Sequence, residues 1–349
     1  MKGDLYICST YHHVMMAVIK TMRTKNPTDI VLCDDIPRLD MLQRSLLSNR
    51  CFRHVFIFFR DTSSAEELKA LTGKVFFRHR RHRAIVERIF KVDLRRYDHL
   101  FIFHDGIELG QYLQDIRVPY YLIEDGLNHF QHIHLTPSRL FLPGKKPVIR
   151  FLKYHLNLGY QACGLNRFCI SIEVNENNGL LIPSRKITVS PKEQLFRSLT
   201  DREKALLVKV FEGEPFKRPS RENSTLIITS PLYDDQYVKT QSQHIEVYRD
   251  IAAGLLSQGF EVYIKPHPRD NVDYSVFENT IVLSKDMPLE VFNFHENLFF
   301  RKAVSFPSAA IELLDCVAEK EVLPLAYLKR YPGYLNEWVL HGHEDEVLP

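Results

Sequence analysis

No stretch of the 349 residues approaches the ~20 consecutive apolar residues that a membrane-spanning helix needs. The opening, Met1 to Lys20, carries Asp4 where a secretory leader would be apolar and lacks a small-residue cleavage site. It reads as the first strand and helix of a cytoplasmic protein. Glycine-rich phosphate loops are missing, since neither a GxGxxG nor a P-loop pattern occurs. The six cysteines (Cys8, Cys33, Cys51, Cys163, Cys169, Cys316) include no close pair, which argues against a disulfide or zinc framework and fits reduced thiols. His129, His132 and His134 are close together, but no acid or cysteine accompanies them at a ligand spacing, so no metal is expected. No RNP, finger or recognition-helix pattern is present, and no nucleic-acid partner is expected. A net charge of only +3 selects no partner either.

What is present is ordinary for a globular chain. A hydrophobic fraction of 45% with 26% charged residues excludes wholesale disorder and fibrous repeats, and the length predicts two domains. Short apolar runs ending in polar turns alternate with helical patterns: Leu5–Cys8, Asp29–Cys33, Arg53–Phe59, Lys74–Phe77, His99–Phe103 and Pro119–Ile123 as strands, with helices predicted over 37–49, 64–72, 83–91 and 107–115. That alternation predicts a parallel sheet covered on both faces. An amphipathic helix is predicted from Gln194 to Phe211, followed by a polar linker. A second alternation then runs through strands 226–229, 261–265, 280–283 and 303–306, with helices at 240–257, 288–294 and 308–316. The expected organisation is residues 1–190, a helix and linker over 191–224, and 225–349. The fold class is α/β, with two Rossmann-type domains whose strand ends face a shared cleft.

Three motifs could carry chemistry. The apolar strand Tyr120–Ile123 runs into Glu124-Asp125-Gly126, where adjacent carboxylates at a strand's carboxyl end suit acid/base work and Gly126 eases the turn. Turn capping explains the same residues. His104-Asp105-Gly106 ends the preceding strand in the same manner. Glu261–Lys265 leads into Pro266-His267-Pro268-Arg269, a stiff loop that holds His267 among the cations Lys265 and Arg269. Ser305 and Ser308 flank the end of a strand, with Ser308 where a helix N-cap belongs, an arrangement suited to an anion or to plain capping. Ser9 and Thr10 repeat it before the first helix.

Charge is unevenly spread. Eight cations between Arg78 and Arg96 face only Glu87 and Asp93, and no acid occurs between Gly126 and Ile172. Such faces are ordinarily solvated; the functional alternative is contact with an anionic bilayer or a lipid-linked acceptor.

In this order, the three motifs resemble the D/E-D/E-G, HP and Ser-Ser/Thr motifs of bacterial GT-B sialyltransferases, closest to glycosyltransferase family 52 and the capsular sialyl- and polysialyltransferases. The likeness extends to Ile228–Asp235, Tyr248–Asp270 and Asp286–Glu290, and the Ser9-Thr10 opening fits it. The second hydroxyl of the Ser pair is replaced by Ala309. The resemblance implies an inverting, metal-independent transfer of sialic acid, or a related nonulosonic acid, from its CMP donor to a glycan of capsule or lipooligosaccharide, without a cofactor. It assigns Glu124 as general base and His267 as the group meeting the departing phosphate. Asp125, Gly126, Pro268, Lys265, Arg269, Ser305, Ser308, Ser9 and Thr10 are assigned to substrate binding. It also implies a homodimer at the inner face of a bacterial membrane. A UDP-dependent glucosyltransferase, a CDP-glycerol-type phosphotransferase and a non-catalytic capsule-assembly scaffold are the alternatives.

Overall fold

The architecture was read from a computed structural model that describes residues 3–71, 78–125, 160–176, 184–211, 217–219, 222–296 and 298–336. The chain divides into two compact units, Met1–Leu206 and Leu207–Pro349. The first holds seven strands: β1 (Asp4–Cys8), β2 (Thr28–Cys33), β3 (Val55–Phe58), β4 (His99–Ile102), β5 (Tyr120–Ile123), β6 (Cys169–Val174) and β7 (Ile187–Val189). They form one parallel sheet in the order β3-β2-β1-β4-β5-β6-β7. Helices α1 (Tyr11–Thr21), α2 (Leu39–Ser48), α3 (Thr62–Ala70), α4 (Arg78–Ile89) and α5 (Glu108–Asp115) connect β1 through β5. The chain winds outward from β1 to β3 and then returns to lay β4 on the other side of β1. The loops after β1 and β4 therefore flank a topological switch point, where open α/β sheets bind ligands.

Apolar composition explains the strands. All residues of β1 and β2 are buried, and Leu5, Ile7, Val31, Leu100, Ile102 and Leu122 join one core. β6 and β7 lie beyond the last expected strand of this unit; in β6 the partly exposed Ser171 and Glu173 alternate with the buried Ile172 and Val174, so it offers no continuous apolar run. The expected strand Lys74–Phe77 falls outside the described residues.

The second unit carries β8 (Ser224–Ile228), β9 (Glu261–Lys265), β10 (Thr280–Val282), β11 (Phe300–Ser305) and β12 (Val317–Val322), all parallel in the order β10-β9-β8-β11-β12. Its switch point lies between β8 and β11. Ile227, Val262, Ile264 and Val304 pack with Val247, Ile251 and Leu255 of the long helix between β8 and β9 (Gln241–Ser257). β12 escapes a reading based on apolar runs because it is an edge strand of alternating charge, with Glu319 and Glu321 paired to Lys302 of β11.

Three expected helices differ, and one of them, expected at 288–294, is a 3₁₀ helix, Leu289–Phe294. The segment 194–211 is two helices, α6 (Lys192–Arg197) and α7 (Asp201–Phe211). The break comes from a capping box, in which the Thr200 hydroxyl accepts the Glu203 N–H at 3.3 Å and the Glu203 carboxylate accepts the Thr200 N–H at 2.7 Å. The division between the units falls inside α7. In chain order the 241–257 helix is α8, and α9 spans only Ala309–Glu312 instead of 308–316. The Glu312 carbonyl is taken by the Lys320 ammonium, and the Asn293 side chain engages the Leu313 carbonyl and the Asp315 N–H, which ends the helix early. Among the described residues no helix is long and apolar enough to cross a membrane.

Candidate functional site

Glu124 and Asp125 follow β5 directly, between the loops after β4 and β6. Their environments differ sharply. The Glu124 residue is only 2% exposed, and one oxygen accepts the Asn175 N–H from the end of β6 at 2.5 Å. Burial raises its pKa above the ordinary value, only partly offset by that hydrogen bond and by nearby Lys192. The Asp125 side chain keeps 27% exposure and lies 3.0 Å from His13 Nε2. Burial would raise its pKa, but the His13 hydrogen bond, with His12 and His104 adding to it, brings the carboxyl down to about 2. One motif thus holds a poised carboxyl beside a firmly ionised one. Gly126 lies outside the described residues.

His13 escaped the reading of motifs. It stands in the first turn of α1, four residues after Ser9, and its imidazole is stacked on Phe103 at the end of β4, with centroids 4.4 Å apart and planes 6° from parallel. The Ser9 N–H donates to His13 Nδ1 at 3.2 Å. Thr10 caps α1 by accepting the His13 N–H at 3.2 Å. Ser9 and Thr10 therefore fix the residue that contacts Asp125. The legible signal was position: a histidine one turn beyond the first strand of a doubly wound sheet sits at the switch point. Asp105 serves another purpose. It is buried and accepts the Tyr120 hydroxyl at 2.8 Å and the Gly164 N–H at 3.0 Å, pinning the 160–166 loop to the sheet.

In the second unit His267 follows β9. Its N–H donates to the Thr229 hydroxyl at 2.9 Å, just beyond β8, and its Nδ1 accepts the Arg269 N–H at 3.1 Å. With Nδ1 occupied as an acceptor, a neutral ring carries its proton on Nε2. Burial, with Arg269 adding to it, lowers its pKa to about 4, so the imidazole is neutral at pH 7. Thr229 also donates to Asp270 at 3.2 Å, and the Tyr274 hydroxyl donates to the same carboxylate oxygen at 2.5 Å. This buried lattice, with His244 3.2 Å from Asp270, sets the loop in place.

The other expected residues are placed as follows. Lys265 is 3% exposed, and its ammonium donates to the Pro266 and Lys285 carbonyls at 3.2 and 3.1 Å, a support beneath the loop. Burial lowers its pKa to about 7. Pro268 and Arg269 are exposed, and the Arg269 guanidinium pairs with Asp235 at 3.0 and 3.3 Å. Ser305 ends β11 at the switch point, 2% exposed, its hydroxyl without a hydrogen-bond partner. Ser308 directly precedes α9, whose four residues sum to a small dipole. Among the described residues no group of three or more His, Cys, Asp or Glu is arranged to hold a metal ion.

Both units thus place their motif residues at the carboxyl edges of parallel strands. An uncharacterized protein of Haemophilus influenzae is 34% identical over 104 residues, a match spanning 30% of each chain. The crystal structure of Medicago truncatula UGT71G1 complexed with UDP-glucose aligns with 87% of this chain and 76% of its own, at 12% identity and a TM-score of 0.44. The glycosyltransferase family 52 profile matches residues 47–326, which include the Glu124-Asp125 pair, the His267-Pro268 loop and both serines of the third motif. On that match, extending over well more than half its length, the chain belongs to glycosyltransferase family 52.

Proposed function

We propose that this glycosyltransferase moves sialic acid, or a related nonulosonic acid, from its CMP-activated form to a hydroxyl of a glycan or lipid-linked glycan, with inversion and without a metal. The observation that carries the chemistry is the split between adjacent carboxyls, Glu124 raised and Asp125 lowered. Neighbouring groups whose pKa values are driven apart divide acid and base roles. Glu124 takes the proton of the acceptor hydroxyl as its oxygen bonds to the anomeric carbon. The bond from that carbon to the CMP phosphate oxygen breaks, and CMP leaves with the electron pair. His267, neutral with its proton on Nε2, donates a hydrogen bond to the phosphate as negative charge gathers there. Thr229 and Lys265 hold the loop that carries it. Support for the sialyl donor is the ordered EDG, HP and Ser motif set. The exposed Arg80, Arg81 and Arg83 of α4 supply a face for an anionic membrane carrying the acceptor.

Greater exposure favours a second reading, in which Asp125 takes the proton and Glu124 orients it. A base held at about 2 is weak, which favours Glu124. Sialyl transfer from CMP-sialic acid to a glycan, followed for wild type, Glu124→Gln and Asp125→Asn, separates the readings. A fall of about 10²–10⁴-fold in kcat for Glu124→Gln, exceeding that of Asp125→Asn, supports Glu124 as base. The reverse order assigns the base to Asp125, and no sialylated product with wild type refutes the donor.

A further inference from the structure

We infer that His13 is a positioning residue for Asp125, holding that carboxylate in one orientation toward a hydroxyl of the acceptor. The inference rests on the acceptor-side role proposed for the Glu124-Asp125 pair. Three independent contacts leave the imidazole no choice of pose. The Ser9 N–H donates to Nδ1 at 3.2 Å, and the Ser9 hydroxyl stands at the same distance from it. Phe103 stacks on the ring at 4.4 Å. The main chain is fixed by the Thr10 cap. Because Nδ1 accepts, the neutral ring carries its only proton on Nε2, and Nε2 lies 3.0 Å from Asp125 Oδ1. At 1% exposure, a position that only filled the core would be occupied at less cost by an apolar side chain. A histidine with Nε2 3.0 Å from the carboxylate restrains it, as outer partners do for functional groups generally.

The groups facing the pair are His12 of α1, His104 of the loop after β4, and Glu124. Burial, reinforced by His12 and His104, lowers the His13 pKa below 6.5 despite Asp125. The ring accordingly stays a neutral donor through the physiological range.

The test uses the full-length enzyme with His13→Phe, which keeps the stacking surface without the N–H, and His13→Gln, which restores a donor. His13→Phe is expected to lower kcat/KM for the acceptor by about 10²-fold, chiefly through KM. His13→Gln is expected to recover most of the loss. A wild-type acceptor KM in His13→Phe would overturn the inference. A second measurement does not depend on turnover. NMR of the wild type should show the Nε2–H tautomer of His13 and an Asp125 carboxyl titrating near 2, rising toward 3.8 in His13→Phe. An Nδ1–H tautomer, or an unmoved Asp125, would overturn the inference whatever the donor. The expected NMR signals in a protein inert toward CMP-sialic acid would instead count against the donor assignment alone.

Discussion

Glu124 and Asp125 are neighbours in sequence, yet burial governs one and a histidine the other. Activity should therefore fall with decreasing pH along a limb set above the ordinary 4.5 of a glutamate, since the base must be ionised to act. A pH profile of kcat/KM checks this, and a limb at or below 4.5 would contradict it. Stability has its own sign. Asp125 titrates at 3.8 when unfolded and about 2 when folded, so its contribution is complete above about pH 3.8 and disappears as pH falls toward 2. His13, folded below 6.5, adds a loss that begins as pH drops under 6.5, where the unfolded imidazole charges first. Acid unfolding followed by circular dichroism should be shallower in Asp125→Asn. Glu124, Asp125 and His267 were legible as polar residues ending apolar runs. His13 was not, because its partners Ser9, Phe103 and Asp125 come from three strand ends that only the folded sheet brings together.

Elements were legible where apolar runs are continuous, as in β1, β2 and β9, and not where one face is polar, as in β6 and β12. The break between α6 and α7 was written in Thr200-Asp-Arg-Glu203, a short-range signal that the longer amphipathic pattern hid. Thr200→Ala should cost about 1 kcal/mol, read as a lower urea midpoint at constant m. The early end of α9 was illegible because Asn293 and Lys320 arrive from elsewhere in the chain. β9 ends on Lys265, whose folded value of about 7 lies below the ordinary 10.5. Between those values the unfolded chain binds the extra proton, so stability rises with pH from about 7 toward 10.5. Lys265→Met should flatten that rise in pH-dependent thermal melts.

At the scale of the whole molecule, the chain is a member of glycosyltransferase family 52 built of two α/β units with parallel sheets. Both switch points carry residues next to those proposed to act: Ser9, His13 and Phe103 lie between β1 and β4, with His13 against Asp125, and Thr229 and Ser305 lie between β8 and β11, with Thr229 against His267. Strand order, which the alternation of elements did not specify, is what makes those positions special. Ligand linkage gives a direct expectation: CMP at 100 times its Kd should stabilise the protein by about 2.7 kcal/mol. A scaffold would show no shift in Tm. The most direct measurement is nucleotide release in EDTA from CMP-sialic acid, UDP-glucose and CDP-glycerol offered separately with a glycan acceptor. CMP should appear from CMP-sialic acid alone. UDP from UDP-glucose or CMP from CDP-glycerol, with CMP-sialic acid left intact, would contradict the proposal.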